Sequence, residues 1–246
     1  MFEVIVLGVG DCFSAQHHTS AVLLKSGGFF LAIDCPDSYR RVLKDAASLS
    51  GRAIDISDVD HVLITHLHGD HMNGLEGLAL YKHFVEKKRL RLAVTPEVRS
   101  VIWAQRLQTS LGSVWDKGCF VHRKFEDYFD VLSLEWEGET TIGPFRIRIK
   151  RTIHHIPTTA LLVEADGRSF GYSSDTAFDR QLIGFLEPAD LIFHEANHGP
   201  PHTSYEELAE LPESLRRKMR LIHYPDGFEQ TAKAIEPLHE GAILTV

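Results

Sequence analysis

Residues 63–74 read LITHLHGDHMNG, and the six-residue span 66–71 contains His66, His68, Asp70 and His71. An imidazole or carboxylate taken out of water costs several kcal/mol unless it is paired or ligated, so a buried core gains nothing from such a cluster. Metal ligation explains it better. At the end of an extended strand, residues i and i+2 share a face, so His66 and His68 can point at one ion. Gly69 allows a tight turn, after which Asp70 and His71 can face a second ion nearby. Mixed imidazole and carboxylate ligation suits Zn²⁺ first, with Mn²⁺ or Fe as alternatives.

Two ions would need further ligands, delivered by other strand ends. His154 and His155 follow the alternating run FRIRIK (145–150), Asp175 sits in YSSDTAF, and His223 follows RLI in RLIHYPDG. Each comes just after a strand-like segment.

The elements that must position these residues can be read along the chain. FEVIVL (2–7) reads as a buried strand. SAVLLK (20–25) and FFLAID (29–34) read as a hairpin turning at Gly27-Gly28. Pro36 opens a helical stretch with Tyr39, Val42, Leu43 and Ala46 at helical spacing. DHVLIT (60–65) is a strand, 74–87 a helix and 90–95 a strand, and Pro96 opens a helix to about Leu107. In the second half, 160–165 and 169–173 form a hairpin around Asp166-Gly167. A short strand at 191–193, a helix over 204–219, a strand stub at 221–222 and a strand at 242–246 follow. The Arg146/Arg148/Lys150 stripe is read as a solvated strand face. The segment 103–130 is rich in aromatics and charge; Trp103 and Trp115 are expected to pack, with a lid or dimer surface as the alternative. Strands lead and helices follow in both halves, without repeat or linker, which implies one α/β domain over 1–246, two packed sheets with helices outside.

The bulk numbers fit an ordinary globular chain: 246 residues, 43% hydrophobic and 24% charged. The net charge of −8 argues against a protein built to hold polyphosphate. Cys12, Cys35 and Cys119 form no CxxC pair, which points to a reducing cytoplasm. The opening MFEVIVLGVG has no basic leader, and its apolar run is too short for a membrane span. Nucleotide binding through Gly8-x-Gly10 fails because the third glycine of the pattern would fall on Phe13.

The strings THLHGDH, HHIPTTALLVE, GYSSDT, FHEANHG…HTS and LIHYP, in that order, resemble the metallo-β-lactamase superfamily, and within it the ribonuclease Z-like phosphodiesterases. LGVGDCFSAQHHTSAVLL and AIDCP resemble that group's opening strands. The resemblance implies a four-layer αββα sandwich of two mixed β-sheets with helices on the outer faces. It implies that His66, His68 and His154 bind one ion, with His155 as the alternative, since the family's third histidine stands in H-x-x-P and Pro157 completes HHIP. Asp70, His71 and His223 would bind a second ion, and Asp175 would bridge both. Asp70 would also orient or deprotonate the attacking water. His202, before Thr203-Ser204, would be oriented by Glu195 of the HEA segment and would protonate the leaving group, while His194 and His198 are read as local structure.

The function implied is a binuclear metal-dependent hydrolase that cleaves a small phosphodiester or nucleotide through a metal-bridging hydroxide. The chain departs from the family in three places. Only a plain hairpin separates the third histidine motif from Asp175, where the tRNA-processing members insert a long arm; SDT replaces GDT; and DCP replaces DCG. A small-molecule substrate is therefore expected rather than a long RNA, with no membrane partner and, by analogy, a homodimer. Thioester or lactone hydrolysis on the same metal core and a non-hydrolytic di-iron sensor or redox protein are the rival readings.

Overall fold

A computed structural model describes residues 1–228 and 232–246. The first half contains β1 (Glu3–Gly8), β2 (Ala21–Ser26), β3 (Phe29–Ile33), α1 (Tyr39–Ser50), β4 (His61–Leu63), α2 (Gly69–Met72), α3 (Leu75–Tyr81), β5 (Leu90–Val94), α4 (Pro96–Ile102), α5 (Gln108–Leu111), β6 (Ser113–Asp116), β7 (Cys119–His122) and β8 (Phe129–Ser133). The second contains β9 (Thr140–Ile142), β10 (Phe145–Arg151), β11 (Thr159–Ala165), β12 (Arg168–Tyr172), α6 (Arg180–Leu186), β13 (Leu191–Glu195), α7 (Tyr205–Ala209), α8 (Glu213–Arg216), β14 (Met219–Ile222), β15 (Glu236–Pro237) and β16 (Ile243–Thr245).

Two mixed sheets result, ordered β16-β1-β2-β3-β4-β5-β8 and β15-β14-β13-β12-β11-β10-β9. In the first, β3, β4, β5 and β8 run parallel; in the second, β12 to β15 do. Strand β1 shows why the layers stack. Its Val4 and Val6 join Phe145, Ile147 and Phe170 between the sheets, while Ile5 and Leu7 face the opposite way, onto Tyr39, Val42 and Leu43 of α1. A strand apolar on both faces must be covered on both. On the far side, Leu182 and Leu186 of α6 cover the second sheet. This is the expected sandwich with helices on its outer faces.

The crevice outside the carboxyl ends of parallel strands is where open α/β sheets place ligands. Here β3, β4, β12, β13 and β14 end at that rim, followed by Asp34, the 66–71 turn, Asp175, the 196–203 loop and His223. Gly74 holds the 66–71 turn against the rim of β3. Its N–H donates to the Cys35 carbonyl, and a Cβ there would stand 2.0 Å from the Pro36 oxygen.

Some local readings change. The helix expected over 204–219 is two short ones, because Pro212 cannot continue the first and instead precedes the second. Trp115 does not pack into the core: 63% exposed, it meets Phe120 edge-to-face across the separate β6–β7 hairpin. Trp103 does pack against the core. In the basic stripe on β10, Arg146 and Arg148 are exposed as expected and both pair with Glu164, while Lys150 is half-buried. Among the described residues, no helix is long and apolar enough to cross a membrane.

Candidate metal centre

His66 stands three residues past the end of β4 and is fully buried, and His68 precedes α2 in extended conformation. His154 comes from the turn after β10. Their nitrogens converge: His68 Nδ1 lies 3.1 Å from both His66 Nε2 and His154 Nε2. Asp175 Oδ2 is 3.6 Å from the Nε2 atoms of His66 and His154. On the other side of the same carboxylate, Asp70 Oδ2 lies 3.2 Å from His71 Nε2 and 3.4 Å from His223 Nε2. Asp175 reaches this group too, with Oδ1 3.3 Å from His71 Nε2 and Oδ2 3.6 Å from His223 Nε2. In each group of four the donor atoms all lie within 4.8 Å of one another. His155 is exposed and stands outside both.

These donors fit cations. His71 Nε2 and Asp175 Oδ1 are buried and face each other, yet neither makes a hydrogen bond. Buried polar atoms rarely go unsatisfied. Several imidazole nitrogens aimed at one point also gain nothing from each other without a cation between them.

The far side of each ring is held. His66 Nδ1 pairs with the Thr65 hydroxyl at 3.0 Å, and His154 Nδ1 donates to the Pro201 carbonyl at 3.1 Å. His71 Nδ1 donates to Asp34 Oδ2 at 2.8 Å, and Asp34 also accepts from the Thr65 N–H and hydroxyl. His223 turns its Nδ1 to Glu195 Oε2, 3.8 Å away. Such outer partners fix which nitrogen faces the ion.

Charge separates the two groups. Burial pushes His66, His68 and His154 below the ordinary histidine value, so they are neutral donors. Burial also pushes on His71 and His223, but the carboxylates win, Asp175 foremost. They hold His71 well above its usual value and His223 up to about 10. Burial likewise opposes ionisation of Asp70 and Asp175. The facing imidazoles outweigh it and keep both far down the carboxylate range, His71 acting first on Asp70 and His223 first on Asp175.

Glu195, at the end of β13, is buried and accepts from His202 Nδ1 at 3.0 and 3.1 Å, and from the Thr176 N–H. Burial lowers His202, but this hydrogen bond and the Glu195 charge raise it overall. Its ring stacks on His223 with centroids 5.4 Å apart and lies 5.3 Å from His154. His194 is buried and bonds its neighbouring carbonyl, while His198 stays outside these contacts.

Asp34 has no assigned role in the sequence reading. Its signal is a carboxylate at the carboxyl end of an apolar strand, in AIDCP. Asp34, Ser174 and His223 all adopt left-handed backbone, with φ of 65°, 52° and 56°. Such backbone costs a non-glycine residue on the order of 1 kcal/mol or more, and it collects at functional sites.

The two mixed sheets, with paired His/Asp groups at their shared rim, define a protein of the metallo-β-lactamase fold. Two solved structures share the architecture. The metallo-β-lactamase fold protein YhfI from Bacillus subtilis matches with a TM-score of 0.75 at 19% identity, over 99% of this chain and 98% of its own. Human tRNase Z, short form, matches with a TM-score of 0.68 at 21% identity, over 99% and 98%. More specifically, the chain belongs to the family described as Anti-Pycsar protein Apyc1, whose model matches residues 2–239. One relative of that name, from Bacillus phage BSP38, is 31% identical over 243 residues, covering 92% of this chain and 90% of its own.

Proposed function

We propose that the protein is a binuclear metal-dependent phosphodiesterase acting on a small phosphodiester or nucleotide. One observation carries this reading: a single carboxylate, Asp175, belongs to both donor groups. His66, His68 and His154 would hold one ion, Asp70, His71 and His223 the other, with Asp175 common to both. Two divalent ions so placed would make water acidic and polarise a phosphoryl oxygen, the chemistry of an in-line displacement.

The remaining work falls to side chains. Asp70 holds a carboxylate at the opening, able to orient a water and take its proton. His202 presents Nε2 on the ring edge opposite its Glu195 bond. Held above the ordinary histidine value by that bond, it would give the proton that a leaving alkoxide needs. Glu195 fixes the ring's orientation and steadies the proton on it. Between His155 and Asp175 the chain forms only the β11–β12 hairpin, with no inserted long arm, and its net charge is acidic, which favours a small substrate over a long RNA. Three free cysteines accord with a reducing cytoplasm.

The test is a substrate panel on protein loaded with Zn²⁺ or Mn²⁺. Bis(p-nitrophenyl) phosphate should be cleaved, and His66→Ala should abolish this. No turnover with Zn, Mn, Fe or Co, or faster turnover of a lactone or thioester, would overturn the reading.

A further inference from the structure

Beside His68 lies a cavity of about 490 Å³. Its walls come from the loops that deliver metal-group histidines, Leu67 on one and Ile156 with Pro157 on the other, and from Val98 and Val101 of α4; Glu97, Ser100 and Gln105 add polar edges, Glu97 being engaged by Trp136 and Arg151. The volume falls in the range of small-ligand sites.

The cavity also holds an arginine unlike its neighbours. Arg99 pairs with Glu126, Arg123 with Asp116 and Arg151 with Glu97. Arg106 has no acidic partner among the described residues. Two neutral oxygens hold it instead: Nη1 donates to the Leu67 carbonyl at 2.8 Å and Nη2 to Asn73 Oδ1 at 2.9 Å. The single π turn over Trp103–Leu107 places Arg106 opposite the 67–73 turn, and such turns recur at functional sites. A guanidinium has five N–H donors, so those left over remain for an anion. An exposed cation without a paired carboxylate, set beside apolar side chains and the metal groups, suits a phosphate ester with an apolar arm.

Resting on the phosphodiesterase reading, we infer that this cavity receives the apolar or planar arm of the substrate, with Arg106 as the contact for its phosphoryl group. Arg106 and Val101 then determine specificity through separate parts of the ligand. The arm lies along Leu67, Val101 and Ile156, while Arg106 supplements whatever the metal groups contribute to holding the anion.

Equilibrium binding to the zinc-loaded protein separates the two contributions, using 2-naphthyl phosphate, 2-naphthol and inorganic phosphate as probes. Val101→Trp fills the cavity from a partly exposed position. It should weaken 2-naphthyl phosphate and 2-naphthol by about tenfold and leave inorganic phosphate unchanged. Arg106→Gln should weaken 2-naphthyl phosphate and inorganic phosphate by about fivefold and leave 2-naphthol unchanged. Unchanged 2-naphthol binding also shows that the 67–73 turn has kept its shape. The inference is overturned if 2-naphthyl phosphate binds no tighter than inorganic phosphate, or if either variant weakens all three probes alike. If the probes behave as expected and no diester is hydrolysed, the cavity assignment stands and the phosphodiesterase reading falls.

Discussion

His66 and His154 rest on neutral oxygens, the Thr65 hydroxyl and the Pro201 carbonyl, whereas His71 and His223 turn toward the carboxylates of Asp34 and Glu195. The first group is mostly imidazole; the second adds Asp70 to the shared Asp175. An anion behind an imidazole raises its basicity and strengthens its grip on a cation. On the proposed reading, the second group would hold an ion strongly, and the first would hold one with less field and easier access to the adjoining cavity.

The largest expected effect erases the contrast. Asp175→Ala removes the carboxylate common to both groups and should lower metal content at each. It should lower diester hydrolysis by on the order of 10³-fold, since the stabilisation at stake is several kcal/mol. Retention of both ions by this variant, measured by elemental analysis, would break the comparison. Next, His202→Ala should cut kcat by roughly 10²-fold while metal content stays constant, if the ring serves the leaving group as proposed, since it stands outside both groups of four. The loss should shrink for substrates whose leaving group needs no proton.

Outer-partner variants sharpen the contrast further. Asp34→Asn should weaken metal binding in the second group by roughly 10–100-fold. Thr65→Val, which removes only a neutral partner of His66, should cost the first group on the order of tenfold at most. Equal losses would mean that the carboxylate adds nothing. The smallest signal is in protons. His71 and His223 are held above neutral pH in the metal-free protein, so metal must displace their protons. Loading the second group at pH 7 should release about two protons, and its affinity should rise with pH until His223 is deprotonated near its value of about 10. His66, His68 and His154 are already neutral at pH 7, so the first group should release close to none and stay flat above that pH. Calorimetry in buffers of different ionisation enthalpy reads both.

The 66–71 cluster was legible because its residues are contiguous and follow a buried strand, so periodicity alone put them at a rim. The two sheets were legible for the same reason, since FEVIVL and FRIRIK state their burial in their patterns. Asp34 was not. Its bond to His71 spans 37 positions and exists only because β3 pairs in parallel with β4. Choosing His154 over His155 needed the H-x-x-P resemblance, since either could follow β10. The β6–β7 hairpin, β8, β9 and α6 escaped because each segment is too short to set a period. Arg106 gave no signal in the chain, because what distinguishes it is the absence of a carboxylate that only the folded neighbourhood can reveal.

Asp70 and His223 are separated by 153 positions yet share one candidate metal group. An ion held there would act as a clasp between the beginning and the end of the molecule. It would have no counterpart in the disordered chain, where those groups are far apart. Free metal at a hundred times its dissociation constant would then add about 2.7 kcal/mol to folding stability. Metal scarcity would therefore shorten the protein's life as well as silence it, since each molecule stripped of its ion would be the one most readily unfolded and degraded.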